Sequence, residues 1–111
     1  MRAISMNPSE KAVVERFKAL LLERTQLHKM ILFGSRARGD ADPHSDMDIL
    51  VILNGPPSAE ARNCVSECAW EAGFEHGIVV VPVVFTRDEW EHGPERYSLL
   101  AQAAETESVL L

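Results

Sequence analysis

The sequence has no apolar run near the ~20 residues that a membrane helix requires. Its first residues, Met1-Arg2-Ala3-Ile4-Ser5, lack the apolar core of a secretory signal. These absences exclude a membrane-embedded role and make the cytoplasm the expected compartment. Cysteine is scarce: Cys64 and Cys68 lie four apart in a helical pattern, on one helix face rather than in a metal knuckle. They read as small buried hydrophobes. The four histidines, His28, His44, His76 and His92, are scattered and form no metal cluster. Internal repeats, low complexity and long linkers are also missing, so residues 1–111 are expected to form a single domain. Finally, basic residues are rare in the second half. Residues 1–62 carry nine Lys+Arg against eight Asp+Glu, and residues 63–111 carry two against nine. A broad nucleic-acid surface needs clustered cations, so nucleic acid is not an expected partner. The acidic half fits either a basic protein partner or a solvated surface.

What is present alternates between helical and strand patterns. Asn7-Pro8-Ser9-Glu10 reads as a helix start, with Asn7 as cap and Val13, Val14, Phe17, Leu20 and Leu21 repeating at helical spacing to about Glu23. Lys29 to Phe33 reads as a strand ending at Gly34, and Asp46 to Leu53 as a second strand, broken by Asn54-Gly55-Pro56-Pro57. Ser35 to Arg38 has the pattern of a short helix start. Ala61, Cys64, Val65, Cys68, Ala69 and Ala72 make a helical stripe that ends at Gly73. Ile78 to Phe85 is almost all valine and reads as a strand buried on both faces, with Pro82 pointing to a bulge or a sheet edge. Thr86-Arg87-Asp88-Glu89 is a capping box, and Pro94 opens a last helix that turns Tyr97, Leu100, Ala101 and Ala104 inward. The expected fold is a small mixed β-sheet packed with helices, of the α/β (α+β) kind. Its first two strands are antiparallel neighbours, and a parallel crossover joins the second to the third.

One segment carries chemistry. In "LFGSRARGDADPHSDMDIL", residues 32–50, a strand runs into Gly34-Ser35, then Arg36 and Arg38, then Asp40, Asp42, Asp46 and Asp48. Asp46 and Asp48 are two apart on a strand and share a face. Two adjacent carboxylates repel, and Mg²⁺ resolves that conflict by binding one or two carboxylates together with phosphate oxygens and water. Glycine lets a phosphate approach the backbone, and a helix start beyond it directs free N–H groups at an anion. Ser35 adds a hydroxyl donor, and Arg36 and Arg38 add positive charge that no acid between Glu23 and Asp40 cancels. Phosphate donors beside a metal platform are the equipment for a nucleoside triphosphate bound with Mg²⁺. A calcium loop does not fit, because Asp48 runs directly into Ile49-Leu50-Val51-Ile52.

Gly34-Ser35-Arg36-Ala37-Arg38-Gly39 followed by Ser45-Asp46-Met47-Asp48-Ile49-Leu50-Val51 closely resembles the signature of minimal nucleotidyltransferases, within the polymerase-β-like nucleotidyltransferase superfamily. The resemblance implies a nucleotidyltransferase fold. It implies that Gly34 and Ser35, with Arg36, Arg38 and Ser45 nearby, bind the nucleotide, and that Asp46 and Asp48 are the catalytic metal ligands. It further implies two-metal transfer of a nucleoside monophosphate, AMP from ATP, to a protein hydroxyl. The partner it implies is a helical HEPN-type toxin for which this chain is the antitoxin.

The chain departs from that pattern at one place. The family usually has a third carboxylate on the next strand, whereas Ile78-Val79-Val80-Val81-Pro82-Val83-Val84 contains no acid. Glu75 precedes that strand, where a parallel crossover would put it on the Asp46 side; it is a weak candidate for the third ligand and otherwise reads as a solvated helix-end residue. The departure keeps an alternative open: a binding module with the nucleotidyltransferase fold that neutralises a partner by contact alone. The sequence does not fix the acceptor, the base or the oligomeric state, and homo-oligomerisation stays open.

Overall fold

A computed structural model describes residues 8–33, 46–92 and 109–110. The described elements are α1 (Pro8–Arg24), β1 (Leu27–Phe33), β2 (Met47–Leu53), α2 (Ala59–Phe74), β3 (Val80–Thr86), α3 (Arg87–His92) and β4 (Val109–Leu110). They build one four-stranded sheet in the order β3-β2-β1-β4. β1 and β2 are antiparallel and β2 and β3 are parallel, as the sequence pattern predicts. The two-residue β4, which pairs antiparallel with Ile31 and Leu32, carries no pattern that marks it in the sequence. The Asn7 cap, the helix start at Ser35 and the last helix from Pro94 lie outside the described residues.

The two faces of the sheet differ in their cover. On one face, Val13, Phe17 and Leu21 of α1 and Val65, Cys68, Ala69 and Ala72 of α2 pack on Met30, Leu32, Met47, Ile49 and Val51. Cys68 is fully buried within that core and Cys64 is half-buried, as expected of small hydrophobes, and both are free thiols. On the other face, Leu50 and Ile52 are fully buried beneath Ile31, Val83, Phe85 and Trp90. The period of two along β2 therefore divides its residues cleanly: Met47, Ile49 and Val51 face the helices, while Asp48, Leu50 and Ile52 face away from them.

Local chemistry fixes the element ends. Ser58 caps α2, its Oγ accepting from the Ala61 N–H at 2.9 Å. The capping box is formed in both directions: Thr86 N–H donates to Glu89 Oε1 at 2.9 Å, and Glu89 N–H donates to Thr86 Oγ1 at 3.1 Å. Gly55 turns the chain after β2 with φ +89°, a conformation that disfavours any Cβ.

β3 differs from expectation in one respect. It is an edge strand whose middle five residues are only half-buried, rather than a strand covered on both faces. A continuous apolar run does not distinguish a central strand from an edge, but Pro82 does. Met47 N–H donates to the Val79 carbonyl at 2.8 Å, and Met47 pairs with Val80. In a parallel ladder of that phase, Val80, Pro82 and Val84 direct their main-chain groups away from β2. The donor that proline lacks is therefore missing from the outer edge, not from the ladder.

At Gly73 the end of α2 closely approaches the segment that leads into β3. The Gly73 carbonyl accepts from the His76 and Ile78 N–H groups, each at 3.1 Å, and a Cβ at this position would collide with the Ile78 carbonyl oxygen. Alanine normally favours a helix over glycine by about 1 kcal/mol. Gly73→Ala is nevertheless expected to destabilise the protein by about 1–3 kcal/mol, the usual range for overpacking. Urea unfolding of the two proteins measures it, and a stabilised variant would contradict this reading of the turn.

Candidate active site

The site is built at the start of β2. Asp46 is exposed immediately before the strand, and Asp48 is half-buried as its second residue, on the face opposite α1 and α2. The strands on either side place Phe33 of β1 and Val81 of β3 in register with Asp48. Phe33 is the last residue of β1, so covalent geometry alone puts the Gly34 Cα about 3.8 Å from that of Phe33. The chain thus leaves β1 for Gly34-Ser35 directly beside Asp48 and returns through Ser45 to Asp46. Gly34, Ser35, Arg36, Arg38 and Ser45 themselves lie outside the described residues.

The electrostatics show two crowded carboxylates. Burial, and then the neighbouring Asp46 charge, hold the Asp48 carboxyl above the ordinary aspartate range. Among the described residues no Lys, Arg or His forms an ion pair with either aspartate. Strand alternation explains the arrangement. Asp48 occupies the position that Leu50 and Ile52 fill further along the same face, where apolar neighbours strip it of water. A divalent cation would relieve both the desolvation and the repulsion, so the residues present fit Mg²⁺.

The third carboxylate is a different matter. The β3 residue in register with Asp48 is Val81, which carries no ligand atom, and no group of three or more His, Cys, Asp or Glu side chains converges among the described residues. Glu75 is the exposed C-cap of α2, and α2 packs on the Met47, Ile49 and Val51 face, opposite Asp48. This matches the expectation of a solvated helix-end residue.

The nucleotidyltransferase domain family matches residues 12–102. The chain belongs to that family. A Methanocaldococcus jannaschii protein named as a candidate protein adenylyltransferase is 30% identical over 64 residues, which span 58% of this chain and 65% of that protein. A bifunctional uridylyltransferase/uridylyl-removing enzyme of Bordetella pertussis is 43% identical over 47 residues, 40% of this chain but 5% of that enzyme. Two solved structures share the fold. A toxin–antitoxin with AMP-PNP has a TM-score of 0.61 at 23% identity, covering 86% of this chain and 69% of that one. A tri-AMPylated Shewanella oneidensis HEPN toxin in complex with its MNT antitoxin gives 0.55 at 20% identity, covering 92% and 70%.

The raised Asp48 pKa sets a pH dependence. A carboxyl with a folded-state pKa above its unfolded value takes up its proton first in the folded protein. Its contribution to the stability of the metal-free protein therefore rises as pH falls through the raised pKa and is lost as pH climbs back above it. Asp48→Asn should leave metal-free stability level or higher near pH 7 and remove this share of the pH response. Thermal melts of both proteins from about pH 7 to about pH 4 measure it. A variant that melts well below the parent at neutral pH would mean that the Asp48 charge is compensated by some other group.

Proposed function

We propose that this protein is a Mg²⁺-dependent nucleotidyltransferase that moves AMP from ATP to a hydroxyl of a partner protein, as the antitoxin of a HEPN-type toxin. The observation that carries the reading is the Asp46/Asp48 carboxylate set at the start of β2, without an ion-pair partner among the described residues and one residue from where β1 leads into Gly34-Ser35. Family membership supports nucleotidyl transfer. The adenylyltransferase name of one relative and the AMPylated HEPN toxin of one structural neighbour support AMP and a protein acceptor.

The division of labour follows the family resemblance of the 34–51 segment. Gly34 and Ser35, with Arg36, Arg38 and Ser45, bind the triphosphate and hold the α-phosphorus in line for attack. Asp46 and Asp48 hold Mg²⁺, which when bound lowers the pKa of the attacking hydroxyl and neutralises charge on the departing pyrophosphate. The apolar wall of Leu50 and Ile52 beneath Asp48 keeps water away from the inner side of the site.

ATP is expected to bind only with a divalent cation. Calorimetry with ATP in Mg²⁺ and in EDTA reads this directly, and equal affinity in the two would remove the carboxylate pair from the nucleotide site. With two carboxylates and Val81 beside them, the metal-free protein should bind Mg²⁺ weakly, and ATP should strengthen that binding sharply. Glu75→Gln should change the transfer rate by less than about threefold, as a solvated surface substitution would. A loss of orders of magnitude would make Glu75 a ligand.

Val81 also favours a second reading, a module that binds and silences its partner without transfer. Incubation with α-labelled ATP separates the two. Label on a protein that vanishes with Asp48→Asn supports transfer, and tight partner binding without label supports the module.

A further inference from the structure

Strand register gives the aspartates one neighbour of opposite chemistry. Val81 of β3 pairs in parallel with Asp48. Two and four residues further on, Val83 and Phe85 of β3 pack with Leu50 and Ile52 of β2 in one cluster. Alternation along both strands therefore puts Val81 on the same face as Asp48, one strand spacing of about 4.8 Å away. Val81 is half-buried and lies on an edge strand, outside the fully enclosed core. Core packing does not fix its side chain as it fixes Leu50 and Ile52.

The consequence is electrostatic. A cation held by Asp46 and Asp48 meets carboxylates along β2 and a hydrocarbon on the β3 side. Mg²⁺ takes six ligands in near-octahedral geometry and gives up water reluctantly, so two carboxylates with an apolar flank hold it poorly by themselves. ATP changes that count, because its phosphate oxygens bring further ligands and further negative charge. A triphosphate without a cation, in turn, would set its charge against Asp46 and Asp48. Each ligand removes the obstacle to the other. Linkage makes the help reciprocal: the factor by which ATP raises cation affinity is the factor by which the cation raises ATP affinity. A carboxylate in place of Val81 would reach the same cation, hold it before the nucleotide arrives, and weaken that dependence.

We infer that Val81 sets the coupling between cation and nucleotide: its apolar side chain beside Asp48 keeps the site from holding a divalent cation alone, so the cation enters together with the triphosphate. The inference rests on the proposed reading of the aspartate pair as an ATP·Mg²⁺ site. It adds the residue that decides how that site is loaded. A protein loaded in this way keeps no resident metal between turnovers, and it responds to the concentration of ATP·Mg²⁺ rather than to free Mg²⁺.

The test compares the full chain with Val81→Asp, Val81→Glu and Val81→Asn. Mn²⁺ binding is followed by electron paramagnetic resonance with and without a non-hydrolysable ATP analogue, and thermal unfolding is followed with and without Mn²⁺. In the parent the analogue should raise Mn²⁺ affinity about a hundredfold. Val81→Asp alone should bind Mn²⁺ about tenfold more tightly than the parent alone, with the coupling reduced by a similar factor. Without metal that variant should melt lower, because three carboxylates crowd together, and Mn²⁺ should restore it. Val81→Asn, polar but uncharged, should stay within about threefold of the parent toward Mn²⁺. Val81→Glu repeats the test with a longer reach. Tight Mn²⁺ binding by the parent without nucleotide overturns the inference. So do folded Asp and Glu variants that bind Mn²⁺ no better than the parent, and so does an equal gain in Val81→Asn, since charge would not then be the cause. Failure of both acidic variants to fold even in Mn²⁺ overturns it too, because a carboxylate within reach of the cation would be stabilised by it. A parent that binds neither Mn²⁺ nor the analogue when both are present instead overturns the proposed function itself.

Discussion

The central strand of this protein has to begin with two carboxylates and then bury itself completely. From Ile49 to Leu53, β2 is the most enclosed part of the chain, with both faces packed. Asp48 sits at the boundary, in register with Phe33 on one side and Val81 on the other. The sheet cannot slide by one residue to relieve Asp48, because a slip would turn Leu50 and Ile52 toward the helices and Ile49 and Val51 away from them. The hydrophobic registry of β2 therefore fixes the aspartate pair in a place where its charges repel and are partly dehydrated. A cation from solution is the simplest relief.

The same registry positions the rest of the site. Antiparallel pairing brings the end of β1, from which the chain enters Gly34-Ser35, beside the start of β2. Parallel pairing brings the start of β3 to the same end. Val79 therefore lies at the aspartate end of the sheet, next to the C-terminal end of α2, which packs on the face opposite Asp48. The acidic bias of the second half gathers along α2 on this flank, where Glu67, Glu71 and Glu75 follow one another at helical spacing.

Most of the scaffold was legible because its patterns are periodic. The repeat from Val13 to Leu21 gave α1, the stripe from Ala61 to Ala72 gave α2, and Asp46 and Asp48 stood out because acids so rarely begin an apolar strand. Pro82 marked an edge correctly, while the valine run around it overstated burial, since apolar identity reports transfer preference and not the number of neighbours. β4 was invisible, because two residues cannot display a period. The face taken by α2 was also invisible from composition, and it decides that Glu75 stands opposite Asp48. The exposure of Trp70 and Phe74 was hidden for a related reason: their spacing is helical, and only packing reveals that they fall outside the buried stripe.

The central claim is that the aspartate pair, and not the glutamate row of α2, is where a divalent cation binds. Paramagnetic broadening of backbone amide signals by Mn²⁺, in the presence of a non-hydrolysable ATP analogue, tests it at residue resolution. Broadening should be strongest at Met47, Asp48, Phe33 and Val81, the residues grouped around the pair by strand register. Broadening centred on Glu67, Glu71 and Glu75, with the start of β2 unaffected, would contradict the account.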